Sequence, residues 1–392
     1  MKRLREHWPL DESISFLNHG SFGACPTAVV EEQRRWQTLL EREPVHFFTR
    51  LFEDALESSR AEIADFLGAS SDSIAFVRNA TEGVNAVLRS IEWKSDDELI
   101  VLNHGYGACI NAARHVTDRA GAKVVVANIP FPIAHPDEAL ASIMECVTPR
   151  TRLALIDHIT SPTALVLPIE RIVAALRAAG VETLVDGAHG PGMVELKLDD
   201  LGAAYYTGNL HKWCCAPKGA AILHVRSDCR DGLHPPVISH GFNSPRKRPR
   251  WLEEFDWVGT MDPSAWLTAP FAIQWMSELL PGGWEEIRAT NRERAIRARD
   301  VVAAALRVSA PCPDSMIGSI ASLPLPDGTA QTPVSSLYAD ALHTRLFEEH
   351  QIEIPVVPWP SPPKRLIRLS AQVYNEDKEY VRLARALTER LD

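Results

Sequence analysis

No stretch of this sequence approaches the roughly 18 uninterrupted apolar residues that a membrane-spanning helix needs, so no membrane partner is expected. The chain has no CxxC pair and no HExxH motif, so zinc is not expected and no metal site is assigned. Its seven cysteines are odd in number and scattered. That argues against a disulfide scaffold and for a reducing, cytoplasmic setting. Basic residues are outnumbered, 41 Lys and Arg against 51 Asp and Glu, for a net charge of −10. A general affinity for nucleic acid is therefore not expected. No apolar run follows the basic start Met1-Lys2-Arg3-Leu4-Arg5, so a secretory signal is not expected. Nor is there a repeat of fixed period.

What the chain does have is an ordinary globular balance, 45% hydrophobic and 23% charged over 392 residues, enough for two domains. Residues 26–42 read as an amphipathic helix with Val29, Val30, Trp36, Leu39 and Leu40 on its apolar face. A second helix is expected from Leu51 to Leu67, stopping at Gly68. Short β-rich runs then alternate with helical stretches. The runs are 74–77, 99–102, 124–127, 153–156, 183–185, 203–206 and 220–225, with helices at 82–90 and 169–179 among them. Continuous apolar strands alternating with helices predict an α/β fold with a mainly parallel sheet covered on both faces. From about 230 turn formers dominate, and a long helix is expected over 284–306. A smaller α+β pattern follows, with strands at 317–323 and 366–369 and helices around 339–350 and 378–391. The expected division is a large α/β domain over 20–284, with 231–284 as its connecting segment. Residues 1–19 and 285–392 would form a small α+β domain.

Two strand ends carry the chemistry. Val185-Asp186-Gly187-Ala188-His189-Gly190 and Gly208-Asn209-Leu210-His211-Lys212-Trp213 each pass from apolar strand to polar residues. Ligands of open α/β sheets bind at the carboxyl ends of strands, so Asp186 and Lys212 should face one crevice. An acid and a lysine there suit pyridoxal phosphate: the amine condenses with the aldehyde and the carboxylate keeps the pyridine nitrogen protonated. The phosphate needs backbone N–H groups at a helix start, which the turn Arg78-Asn79-Ala80-Thr81 before a helix would supply.

These segments resemble the class V aminotransferase family of fold type I pyridoxal-phosphate enzymes, and within it most resemble the isopenicillin N epimerases. Further landmarks run nearly end to end: Leu17-Asn18-His19-Gly20-Ser21-Phe22-Gly23, His104-Gly105-Tyr106-Gly107, Ser161-Pro162-Thr163, Gly259-Thr260, Val356 to Pro360, and Arg368 through Asn375. The resemblance implies that Lys212 is the Schiff-base lysine and proton shuttle, that Asp186 binds the pyridinium and that His189 meets the ring hydroxyl. It implies that Ala80, Thr81, Asn209 and His211 hold the phosphate, that Ser161 lies against the cofactor and that Tyr106 stacks on the ring. It also implies a homodimer with shared sites, Thr260 reaching the neighbour's phosphate. Arg368 would clamp the substrate carboxylate, with Asn18, His19 and Gly20 nearby.

Other readings are weaker. Gly105-Tyr106-Gly107 has Ile110 where a dinucleotide fingerprint needs its third glycine. Gly20-Ser21-Phe22-Gly23 does not have the spacing of a nucleophile elbow. Cys214 and Cys215 read as packing residues, and Lys218 as a turn residue competing poorly with Lys212. The run Arg246–Arg250 reads as a solvated loop, or else as a reader of a second substrate carboxylate. The substrate is expected to be an amino acid or its conjugate, reacting at the α-carbon. Epimerisation is the first expectation. Carbon–sulfur cleavage of a cysteine or cysteine sulfoxide conjugate and transamination are the alternatives. Residues 355–364 contain no cysteine to accept sulfur, which counts against a persulfide-forming desulfurase.

Overall fold

The computed structural model describes residues 4–328 and 340–391. A seven-stranded sheet forms its centre, built from β1 (Ile74–Val77), β2 (Glu98–Leu102), β3 (Lys123–Ala127), β4 (Thr151–Asp157), β5 (Glu182–Asp186), β6 (Tyr205–Asn209) and β7 (Ala221–Val225). The spatial order is β1-β7-β6-β5-β4-β2-β3. Only β7 runs against the others, being antiparallel to both β1 and β6. The strands are apolar without interruption because helices cover both faces. Side chains alternate between faces: Ile100, Ile156, Val185 and Ile222 join one buried cluster, and Leu99, Val101, Leu155, Leu184 and Leu223 the other. Burying each such side chain contributes roughly 1.5–3 kcal/mol.

A smaller three-stranded antiparallel sheet contains β8 (Ile320–Leu325), β9 (Val356–Pro358) and β10 (Arg365–Ser370), in the order β9-β10-β8. The long helix Gly283–Leu306 packs against Asp377–Leu391 beside it. The N-terminal segment crosses to this part of the chain. Ser15–Phe16 pairs in parallel with Ile352–Glu353, and the Ser370 N–H donates to the Leu17 carbonyl. That crossing places residues 18–22 beside β10 and the end of β6.

Most expected elements form within a few residues of their expected ends. The strand expected at 203–206 instead runs Tyr205–Asn209, because pairing with β7 begins at Tyr205. The strand expected at 317–323 begins at Ile320, and the helix expected from 339 begins at Ala341; residue 339 itself lies outside the described residues. The segment 231–284 contains a well-formed helix, Ser264–Ser277. It escapes a periodicity reading because Trp266, Leu267, Ala269, Ala272 and Met276 bury nearly all its sides. It packs on Thr27–Arg42 and Phe52–Leu67. In Thr27–Arg42 only Val29 of the expected apolar face is buried, and Leu39 is exposed. Among the described residues no helix is long and apolar enough to cross a membrane.

Candidate active site

A cavity of about 530 Å³ opens at the carboxyl ends of β4, β5 and β6. Helix Ala80–Ser90 begins at its rim. Asn79 caps the helix, its side chain accepting the Glu82 N–H at 2.9 Å. The helix can lie close to the sheet because of Gly83: a Cβ there would stand 2.3 Å from Thr207 Oγ1 on β6. Gly187 and Gly190 perform the same service for the loop after β5, where any Cβ would collide with the buried Tyr206 ring.

Nine expected residues line the cavity: Lys212, Asp186, His189, Ala80, Thr81, Tyr106, Ser161, Asn209 and His211. Lys212 Nζ lies 3.2 Å from His189 Nε2. Burial, reinforced by the Arg368 charge and opposed by Asp186, lowers the lysine to about 7. Asp186 is buried, and it accepts the Ala188 N–H at 3.0 Å and the Cys109 S–H at 3.1 Å. Burial, then Lys212 and Arg368, hold the His189 imidazole well below its ordinary value. His211 is lowered to about 4 by burial and by Lys212, and its Nδ1 lies 3.0 Å from the Ala220 carbonyl. Asn209 Oδ1 accepts the Ala80 N–H at 2.8 Å, tying the helix start to β6. The Tyr106 N–H points at Asp157 Oδ1, 3.3 Å away, and its side chain is 44% exposed.

The other expected residues lie outside the cavity lining. Arg368 on β10 is buried directly behind it, donating to the Ser161 carbonyl at 2.7 Å and to Ser21 Oγ at 2.8 Å. Asn18 accepts the Ser21 hydroxyl at 2.5 Å and donates to Glu353 at 2.9 Å. His19 is fully buried between the Tyr374 hydroxyl, 2.8 Å away, and the Lys212 carbonyl, 3.0 Å away. The Gly20 N–H donates to Ser370 Oγ. These three support the wall, and Ser21 and Phe22 form it. Thr260 is exposed and does not line the cavity. The Arg246–Arg250 run is largely exposed, as expected of a solvated loop, and none of it lines this cavity, but its arginines are ion-paired. Arg246 pairs with Glu53, Arg248 with Glu57 and Glu253, and Arg250 with Glu254. Lys218 lines the rim, exposed.

Sequence reading missed Asp157. It ends β4 as Asp186 ends β5, and the two are paired neighbours across the sheet. Burial and the Asp186 charge push Asp157 well above the usual carboxylate range. The strand-end rule that picked out Asp186 would have found it, because Asp157 directly follows the apolar run 153–156.

Pyridoxal phosphate fits this donor set. The cavity presents a lysine tuned toward its amine form, a buried carboxylate already held by two donors, and the positive end of a helix dipole where Thr81 lines the cavity, the neighbouring Ala80 and Glu82 N–H groups being held by Asn209 and Asn79. Comparison with known proteins agrees. The family model "Aminotransferase class-V" matches residues 24–383. A protein named probable L-cysteine desulfhydrase, chloroplastic, from Arabidopsis thaliana is 31% identical, covering 96% of this chain and 83% of its own. An isopenicillin N epimerase from Amycolatopsis lactamdurans is 32% identical, covering 98% and 97%. A solved structure of a C-DES mutant, with glycine covalently linked to its PLP cofactor, superposes with a TM-score of 0.83. It covers 98% of this chain and 99% of that one at 20% identity, a likeness of fold. The chain therefore belongs to the class-V aminotransferase family and is a pyridoxal-phosphate-dependent enzyme.

Proposed function

We propose that the enzyme removes the Cα proton of an amino acid, with Lys212 as the base on one face, and that a second acid delivers a proton to the opposite face, inverting the configuration. The observation that carries this is the meeting of Lys212, His189 and Asp186 in one cavity, with Arg368 one layer behind its wall. When bound, pyridoxal phosphate supplies an electron sink that makes the Cα proton acidic. Asp186 would keep a proton at the ring nitrogen and His189 would meet the ring hydroxyl. Thr81 at the helix start would take the phosphate, with His211 beside it. Burial lowers Lys212 to about 7, so it can accept the Cα proton near neutral pH. Arg368 grips the substrate carboxylate, which replaces the Ser21 hydroxyl and the Ser161 oxygens as its partners.

The isopenicillin N epimerase relative supports inversion. A second reading, loss of sulfide or a thiol from Cβ of a cysteine-type substrate, is supported by the cysteine desulfhydrase relative. A persulfide route is not proposed, because no described residue lining the cavity is a cysteine. We further propose a homodimer in which Thr260 serves the neighbour's phosphate site, consistent with its exposure outside the lining of its own cavity. The seven free cysteines support a reducing, cytoplasmic setting. Incubation of candidate amino acids in heavy water, followed by mass spectrometry and chiral chromatography, tests the reaction. Deuterium at Cα with inverted configuration supports the epimerase. A keto acid with a released sulfur fragment replaces it with the lyase.

A further inference from the structure

We infer that Trp213 sets the proton on His189: its indole N–H occupies Nδ1, so the imidazole turns Nε2–H toward Lys212 and holds that lysine as the free amine. The inference rests on the reading of Lys212 as the lysine that takes the cofactor.

The argument is an accounting of donors. An indole nitrogen can only donate. Trp213 Nε1 lies 3.2 Å from His189 Nδ1, so Nδ1 is the acceptor. A second proton on the ring is disfavoured. His189 is 2% exposed, and Lys212, Arg368 and His19 all face it with charge or potential charge of the same sign. A neutral imidazole that accepts at Nδ1 carries its hydrogen on Nε2. That nitrogen lies 3.2 Å from Lys212 Nζ. An N–H pointing there needs a lone pair, which an amine has and an ammonium lacks. The opposite tautomer would offer Nε2 as an acceptor and stabilise the ammonium.

The other groups around Lys212 do not settle its charge by themselves. Arg368 disfavours the ammonium, whereas Asp186 and Cys109 favour it. Asp157 and His211 line the same cavity. Trp213 is itself immobilised. It is 1% exposed, packs with Ile159, Ala164, Met193 and Ile320, and sits 5.0 Å from the His19 ring centre. It does not line the cavity, so it acts through His189 as a positioning residue.

Two measurements on the full-length, cofactor-free chain test this. The first is the ¹⁵N spectrum of labelled histidine, with His189→Gln identifying the His189 signals. A protonated Nε2 and an unprotonated Nδ1 are expected; a protonated Nδ1 overturns the inference. The second is the rate at which pyridoxal phosphate becomes attached to Lys212, trapped by borohydride across pH. Trp213 is replaced by 3-benzothienylalanine, which keeps the indole shape but has sulfur where the N–H was. The midpoint of the rate profile should rise by about one pH unit, a roughly tenfold slower capture at neutral pH with the high-pH rate retained. An unchanged midpoint and tautomer in that variant would sink the proposal. Trp213→Phe, expected to move the midpoint the same way, is the second variant should the first not fold. If pyridoxal phosphate fails to attach to Lys212 in the wild-type chain, the functional reading falls, and the histidine spectrum still decides the tautomer.

Discussion

Asp157 and Asp186 are paired residues at the ends of adjacent parallel strands, and both carboxylates reach the same cavity. Burial, and then the Asp186 charge, disfavour ionisation of Asp157, so in the cofactor-free protein it holds a proton well above the usual carboxylate range. An acid whose pKa is raised on folding binds more protons folded than unfolded. Its contribution to stability therefore falls as pH rises from the unfolded value toward the folded one. Asp157→Asn should melt close to wild type near pH 4 and gain a growing advantage toward neutral pH. Thermal unfolding of the cofactor-free proteins across that range is the check. A difference that is flat with pH would show that Asp157 is not held protonated.

Lys212→Ala should lose turnover almost completely, by a factor of at least about 10³, while the protein still folds, because this substitution removes both the proposed attachment point and the proposed base. Absorbance and borohydride trapping report the attachment, and circular dichroism reports the fold. Covalent trapping of pyridoxal phosphate on another lysine, Lys218 being the nearest rival at the rim, would reassign the site.

Arg368→Ala should weaken substrate binding, with KM raised by roughly 10- to 100-fold for loss of a charge-assisted anchor of about 1.5–3 kcal/mol. Ser21→Ala should have a smaller effect in the opposite sense or none, because Ser21 occupies Arg368 and would be displaced by the carboxylate in the proposed binding mode. Steady-state kinetics of the two variants decides the point. An unchanged KM in Arg368→Ala would remove that residue from the substrate site.

Gly83→Ala should destabilise the protein by about 1–3 kcal/mol, the usual range for overpacking, because its methyl would press on Thr207 of β6. It should also weaken cofactor binding by lifting the start of the Ala80–Ser90 helix off the sheet. Gly107→Ala is the control, with no atom within 4 Å of the added methyl and no expected loss. Chemical denaturation compares them.

Sequence alone determined the alternating apolar runs, and with them the mainly parallel sheet and the strand ends from which Asp186 and Lys212 project. Those features are local: a strand buried on both faces must be apolar along its length, and chemistry begins where the apolar run stops. The helix Ser264–Ser277 left no periodic trace because burial on nearly all sides erases the polar face. Only tertiary structure decided which residues form the wall and which stand behind it. Asn18, His19 and Gly20 follow the same short motif as Ser21 and Phe22. Pairing of Ser15–Phe16 with Ile352–Glu353 turns the first three into supports and the last two into lining. The Arg246–Arg250 run is exposed as expected, but its ion pairs were hidden because the acidic partners are distributed between helix Phe52–Leu67 and Glu253–Glu254. The hydrogen-bonded line from Trp213 through His189 to Lys212 joins residues more than twenty positions apart, so it exists only once β5 and β6 lie side by side.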